Sequence, residues 1–160
     1  MLAVKLICVG RMREKYYTDA FSEYEKRLSA YCRFELLEIN EERLPESPSE
    51  NEILKALSKE RDSILKAVPK DAYVIALCVE GKQIPSEKLA SVLHEREESG
   101  RPRLCFIVGG SYGLSEDVKK AADCRLSMSE MTFPHHLARV MLAEQIYRGF
   151  KINEGSAYHK

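Results

Sequence analysis

Two uninterrupted apolar runs, Tyr73–Val79 (YVIALCV) and Leu104–Val108 (LCFIV), constrain this chain more than any other feature. A strand with one face in water alternates apolar and polar residues. A short run without alternation reads as a strand covered on both faces, the condition of a parallel sheet held between helix layers. The rest of the chain supplies those layers. Ala3–Val9 reads as a first strand, and Glu14–Tyr31 as a helix carrying Tyr17, Ala20, Phe21, Tyr24, Leu28 and Tyr31 on one stripe. Phe34–Ile39 is a second strand, followed by a polar loop from Asn40 to Pro48. Ser49 and Glu52 have capping-box spacing and open a helix to Val68, with Ile53, Leu54, Leu57, Ile64, Leu65 and Val68 expected to face inward. A helix over Ser86–Glu97 joins the two apolar runs. After them come the turn GGSYGLS, a helix over Glu116–Ala122, a short strand over Arg125–Met128, a loop to Pro134, and a last helix to Phe150. Five strands alternating with five helices predict one domain over residues 1–160, a three-layer α/β fold around a mostly parallel sheet.

The composition, 44% hydrophobic and 31% charged, is enough to build a packed core without a staple. Twenty-five basic residues balance 25 acidic ones, so net charge supplies no general attraction to a polyanion. Met1–Arg33 nevertheless leans basic while Glu35–Asp62 is acidic, a pattern that fits either two distinct faces or an ordinary mixed surface. The five cysteines form no C-x-x-C pair, and Cys8, Cys78 and Cys105 lie inside apolar runs, where a thiol is a small inert hydrophobe. MLAVKLICVG is too short and too strand-like for a signal peptide, and no apolar stretch has membrane-spanning length, so a cytoplasmic protein is expected.

Ligands in open parallel sheets sit beyond the carboxyl ends of the strands, which selects Glu80–Gly81, Gly109–Gly113 and Ser127–Pro134. GGSYG is not the G-x-G-x-x-G fingerprint and follows the fourth strand rather than the first. The Walker, nucleophile-elbow and H-E-x-x-H patterns are missing. His135 and His136 are adjacent on a helix and point about 100° apart, a poor arrangement for one metal, and no metal is expected.

FIVGGSYGLS, LSMSEMTFPHHLARVMLAEQIYRGFKI, the terminal AYHK and the opening KLICVGRMREKYY together resemble the bacterial large-subunit ribosomal RNA pseudouridine-N3 methyltransferases, a minimal family of the SPOUT class. The resemblance covers nearly the whole chain. It implies a five- or six-stranded, mostly parallel sheet with a C-terminal trefoil knot, a homodimer, S-adenosylmethionine as cofactor, and ribosomal RNA in the ribosome as substrate. It also implies that Leu77, at the end of the third strand, Gly109, Met128, Ser129, Glu130, Met131, Thr132 and Phe133 line the cofactor pocket. Leu, Met and Phe suit an adenine and a thioether-like chain, and glycine lets the backbone approach.

Methylation at an imide nitrogen needs a proton removed and the resulting anion stabilised. Arg148, Tyr158 and His159 match family positions for that work: Arg148 to stabilise the anion, His159 to accept the proton, Tyr158 to stack on or orient the base. Arg148 also stands four residues after Glu144, as an ordinary helical ion pair would, and a polar tail over Asn153–Lys160 also fits a frayed end. Since the net charge is zero, RNA recognition is expected from a surface assembled across two subunits. Two rivals remain at this point. One is a non-catalytic, ribosome-associated RNA-binding factor on the same scaffold. The other is a flavodoxin-like nucleotide or phosphate binder, which Val9-Gly10-Arg11-Met12 does not favour because it offers no Gly-rich loop.

Overall fold

In the computed structural model, which describes all residues 1–160, the chain forms β1 (Ala3–Val9), α1 (Lys15–Leu28), β2 (Arg33–Ile39), α2 (Glu50–Ala67), β3 (Tyr73–Lys82), α3 (Ser86–Glu98), β4 (Arg103–Val108), α4 (Glu116–Ala121), β5 (Cys124–Leu126) and α5 (His135–Asn153). The sheet order is β2-β1-β4-β3-β5, and every neighbouring pair is parallel.

The apolar runs divide by residue parity. Leu104, Phe106 and Val108 face one core, together with Leu6 and Cys8 of β1 and Phe21, Leu93, Leu142 and Ile146 from α1, α3 and α5. Cys105 and Ile107 face a smaller core on the other side, with Ile7 and Val9, Ile64 of α2 and Val118 of α4. Alternate side chains leave a strand on opposite faces, so a run with two buried faces must be apolar throughout. The three-layer reading therefore holds, with α1, α3 and α5 over one face and α2 and α4 over the other.

Several boundaries and faces differ from the sequence reading. α1 stops at Leu28 rather than Tyr31, and α5 runs past Phe150 to Asn153. The capping box of α2 is present, with Ser49 and Glu52 exchanging side-chain to backbone bonds of 3.2 and 3.1 Å. Leu54 and Leu65, however, are 54% and 39% exposed, and the inner face is carried by Ala56, Glu60 and Ile64. Only the small core lies beneath this helix, so its apolar stripe is wider than the surface available to cover it.

β3 continues three residues beyond Val79. Its pairing with β4 ends at Ala76 opposite Ile107; it then pairs with β5 to Leu77 opposite Leu126 and, after an irregularity, places Lys82 opposite Leu126. Leu77 is thus inside β3, at the point where the β4 ladder stops. β5 is Cys124–Leu126 rather than Arg125–Met128. Ser127 and Met128 leave the sheet, with the Ser127 N–H donating to the Lys82 carbonyl at 3.0 Å.

Candidate active site

The three segments selected by the strand-end rule converge on one cavity of about 330 Å³ beyond the carboxyl ends of β3, β4 and β5. Leu77, Gly109, Met128, Ser129, Met131, Thr132 and Phe133 all line it. Glu130 does not, and it is exposed. Residues that the sequence reading missed complete the wall, among them Leu114, Lys119, Leu126, His135 and Ala138. Lys119 pairs with Glu80, and that ammonium holds the Glu80 carboxyl below its ordinary range. Burial, with His136 next, pushes His135 down and keeps its imidazole neutral at the cavity edge.

Gly109, besides lining the cavity, is required by the turn it opens. A Cβ there would lie 2.5 Å from the Gly113 carbonyl carbon and oxygen, so the missing side chain makes room for the turn itself. The turn closes with Gly113 N–H donating to Gly110 O at 3.0 Å. On the opposite wall, the N–H groups of Met128, Ser129, Thr132 and Phe133 have no acceptor within the chain. Free main-chain donors beside Leu126, Met128 and Phe133 are the mixture that a nucleoside-bearing cofactor uses: an apolar slot for a ring and a few fixed polar groups to read its edge. The residues present therefore fit S-adenosylmethionine.

The second group of candidates also comes together, at a different place. The tail folds back along α5. Tyr158 Oη donates to Glu144 Oε1 at 3.1 Å, and Arg148 Nε donates to the same oxygen at 2.9 Å. Arg148 also reaches His159 Nδ1 at 3.1 Å, and its guanidinium carbon lies 5.0 Å from the centre of the Tyr158 ring. His159 Nε2 stands 2.9 Å from Glu87 Oε1. The helical ion pair and the Arg148, Tyr158 and His159 grouping are thus the same object, and the tail is docked rather than frayed.

Proton positions follow from the partners. Arginine has only donors, so Nδ1 of His159 must accept and Nε2 must carry the proton given to Glu87. That hydrogen bond draws the Glu87 carboxyl below its usual range. Burial, then the Glu144 charge, pushes the Tyr158 phenol up to about 12, so it stays protonated at neutral pH. The Arg148 guanidinium is raised further by its bond to Glu144.

None of Arg148, Tyr158 and His159 lines the 330 Å³ cavity. Between the two sites lies a second hollow of about 520 Å³, which shares Leu126 and Met128 with the first and is bounded by Glu144 at its far side. No group of three or more His, Cys, Asp or Glu is placed to hold a metal ion, and no helix is long and apolar enough to cross a membrane. Burial pushes the thiols of Cys8, Cys32 and Cys105 up to about 12, which leaves them inert.

Known proteins share both the fold and the sequence. A probable methyltransferase from Bordetella pertussis Tohama I superposes with a TM-score of 0.60 at 12% identity, covering 92% of this chain and 94% of that one. A probable methylase family protein from Haemophilus influenzae Rd KW20 gives 0.54 at 14% identity, covering 100% of this chain and 72% of that one. At such identities the likeness is one of fold. In sequence, the ribosomal RNA large subunit methyltransferase H of Clostridium novyi is 46% identical over 157 residues, which is 98% of this chain and 99% of that protein. The protein of the same name from Streptococcus pyogenes is 45% identical over 161 residues, 99% of this chain and all of its own length. The family described as "Predicted SPOUT methyltransferase" matches residues 2–159. With sheet, cavity and sequence in agreement from end to end, the chain belongs to the SPOUT methyltransferase family, in the group whose members carry the name ribosomal RNA large subunit methyltransferase H.

Proposed function

We propose that this protein transfers a methyl group from S-adenosylmethionine to N3 of a pseudouridine in large-subunit ribosomal RNA, that it does so on the ribosome in the cytoplasm, and that it acts as a homodimer. The observation that carries the reading is the separation of the two groups of residues. A cavity of the right chemistry lies at the strand ends, and a compact Arg-Tyr-His cluster lies on the last helix and tail. In one chain they do not meet. A two-fold contact that sets the tail of one subunit over the cavity of the other sets the second tail over the first cavity as well, since an isologous interface makes every such pairing twice.

The cofactor, when bound, supplies an electrophilic methyl on a sulfonium. The chain's own residues supply the rest. Leu77, Met128 and Phe133 give an apolar slot, and the free N–H groups of the Met128–Phe133 loop fix the ligand's orientation. Arg148 places a permanent positive charge where the pyrimidine ring becomes anionic as its N3 proton leaves. Tyr158, protonated at neutral pH, serves as a stacking and donor group and not as a base. The Arg148 donor makes Nδ1 of His159 the accepting nitrogen, with Nε2 turned to Glu87. His159 would take the N3 proton on Nδ1 once the base displaces Arg148 from that nitrogen, leaving the Arg148 donor free for the anionic ring.

Mass spectrometry of ribosomal RNA from cells with and without the protein tests the reaction, and loss of one methylated pseudouridine in the large-subunit RNA is the expected result. A thermal melt tests the cofactor. Saturating S-adenosylmethionine should raise the melting temperature, by an amount corresponding to about 2.7 kcal/mol at a hundredfold excess over Kd. Ala138→Phe, which fills the cavity from α5, should abolish that rise. Binding to ribosomes and cofactor with unchanged RNA would instead assign the protein as a non-catalytic factor.

A further inference from the structure

The loop from Gly10 to Glu14, between β1 and α1, is held more firmly than its polar sequence requires. Gly10 turns the chain at φ 90° and donates its N–H to Ile39 O at 2.8 Å. Its carbonyl accepts from Arg139 Nη2 at 2.9 Å, and Arg139 is completely buried. The other guanidinium nitrogen donates to Glu38 Oε2 at 2.7 Å, and the same oxygen accepts the Met12 N–H at 3.0 Å. Met12 is buried, so the residues on either side of it, Arg11 and Arg13, are both turned to solvent.

Three acidic side chains of this region make contacts with groups other than these two arginines. Glu38 is taken by Arg139 and Met12, Glu14 lies 3.7 Å from His136, and Glu41 accepts from the Ser111 N–H and hydroxyl at 3.3 Å each. Lys15 pairs with Asp19. Neither Arg11 nor Arg13 is in an ion pair, and the one acidic side chain on the same loop, Glu14, faces His136 instead. The loop also abuts the cofactor cavity: a methyl group on Gly10 would lie 3.8 Å from Nε2 of His135, which lines that cavity.

We propose that Arg11 and Arg13 dock the phosphodiester backbone of the substrate RNA at the rim of the 330 Å³ cavity, on a loop fixed in place by the buried Arg139–Glu38 pair. The inference rests on the RNA-directed reading above. Long side chains carrying guanidinium groups are suited to phosphate, and two of them held by a rigid backbone lose little freedom on binding. Because the whole molecule is neutral, such a local pair has to supply attraction that net charge does not.

The test measures binding of purified bacterial ribosomes to the full-length protein between 50 and 200 mM KCl. Each phosphate contact adds about 0.7 to 0.9 to the slope of log K against log salt. Replacing both residues, Arg11→Ala with Arg13→Ala, should lower that slope by about 1.4 to 1.8 and weaken binding at least about tenfold at low salt. Affinity for S-adenosylmethionine, followed by calorimetry, should stay within about twofold, and Arg11→Lys with Arg13→Lys should recover most of the slope. An unchanged slope in the double-alanine protein overturns the proposal. So does a matching loss of cofactor affinity, or a lysine variant no better than alanine. Absence of methyl transfer by the unaltered protein would defeat the methylation reading, while the salt slopes would still decide the role of the loop.

Discussion

Glu144 gathers more polar partners than any other side chain near the tail. Its Oε1 accepts from Arg148 and from the Tyr158 hydroxyl, and its Oε2 accepts from Gln145 Nε2 at 2.8 Å. Without it, Arg148 would lose the group that fixes its orientation, and Tyr158 the acceptor for its proton. Glu144→Ala should therefore lower single-turnover methyl transfer to ribosomes at least about tenfold, near 1.4 kcal/mol of transition-state stabilisation, with cofactor affinity within about twofold. A parallel loss of cofactor binding would place the damage in the fold. At this scale the sequence was informative where spacing carries meaning, as with Glu144 and Arg148 one helical turn apart. It was silent about Arg139, whose partners Glu38 and Gly10 lie more than a hundred residues away in the chain. A charged residue in the middle of an apolar helix pattern carries no local mark of the partner that makes its burial tolerable.

Packing between elements explains one residue that reads as a defect in the sequence. Gly149 sits inside α5, where glycine costs a helix about 0.5–1 kcal/mol relative to alanine. A Cβ at this position would lie 2.5 Å from Leu93 Cδ1 and 3.4 Å from Ala90 Cα on α3. The glycine allows the two helices to approach closely, which brings Asn153 Nδ2 to the Ala90 carbonyl at 2.9 Å and sets Glu87 beneath the tail. Gly149→Val should destabilise the protein by about 1–3 kcal/mol through overpacking, visible as a melting temperature lower by roughly 2–12 °C. An equal or higher melting temperature would mean that the contact relaxes freely. Elements with a clear local mark, such as the unbroken apolar run of β4 and the capping box of α2, were legible in the sequence. The extension of β3 to Lys82 was not, because Cys78–Lys82 pair irregularly with β5 and a bulged ladder has no simple residue pattern.

For the whole molecule, the decisive quantity is which subunit's tail serves which cavity. The tail residues Ser156–Lys160 are docked on their own α5 yet do not reach their own cavity wall. If the working unit is a two-fold dimer with tails acting across the interface, two defects on different subunits should complement each other. One variant, Ala138→Phe, keeps its tail and loses its cofactor cavity; the other, lacking 156–160, keeps the cavity and loses its tail. Each alone should transfer methyl groups at least about a hundredfold more slowly than the unaltered protein, near 2.7 kcal/mol. When equal amounts are mixed and allowed to exchange, about half of the dimers are mixed. Each of those holds one intact cavity under one intact tail, so the rate per subunit should recover to about a quarter of the unaltered value. A tail serving its own subunit predicts no recovery at all, because no chain in the mixture then carries both parts. Sedimentation of the same mixture guards the conclusion. A species of twice 18.3 kDa must be present for the exchange to occur, and recovery in its absence would contradict the dimer as firmly as failure to recover would contradict the action of the tail in trans.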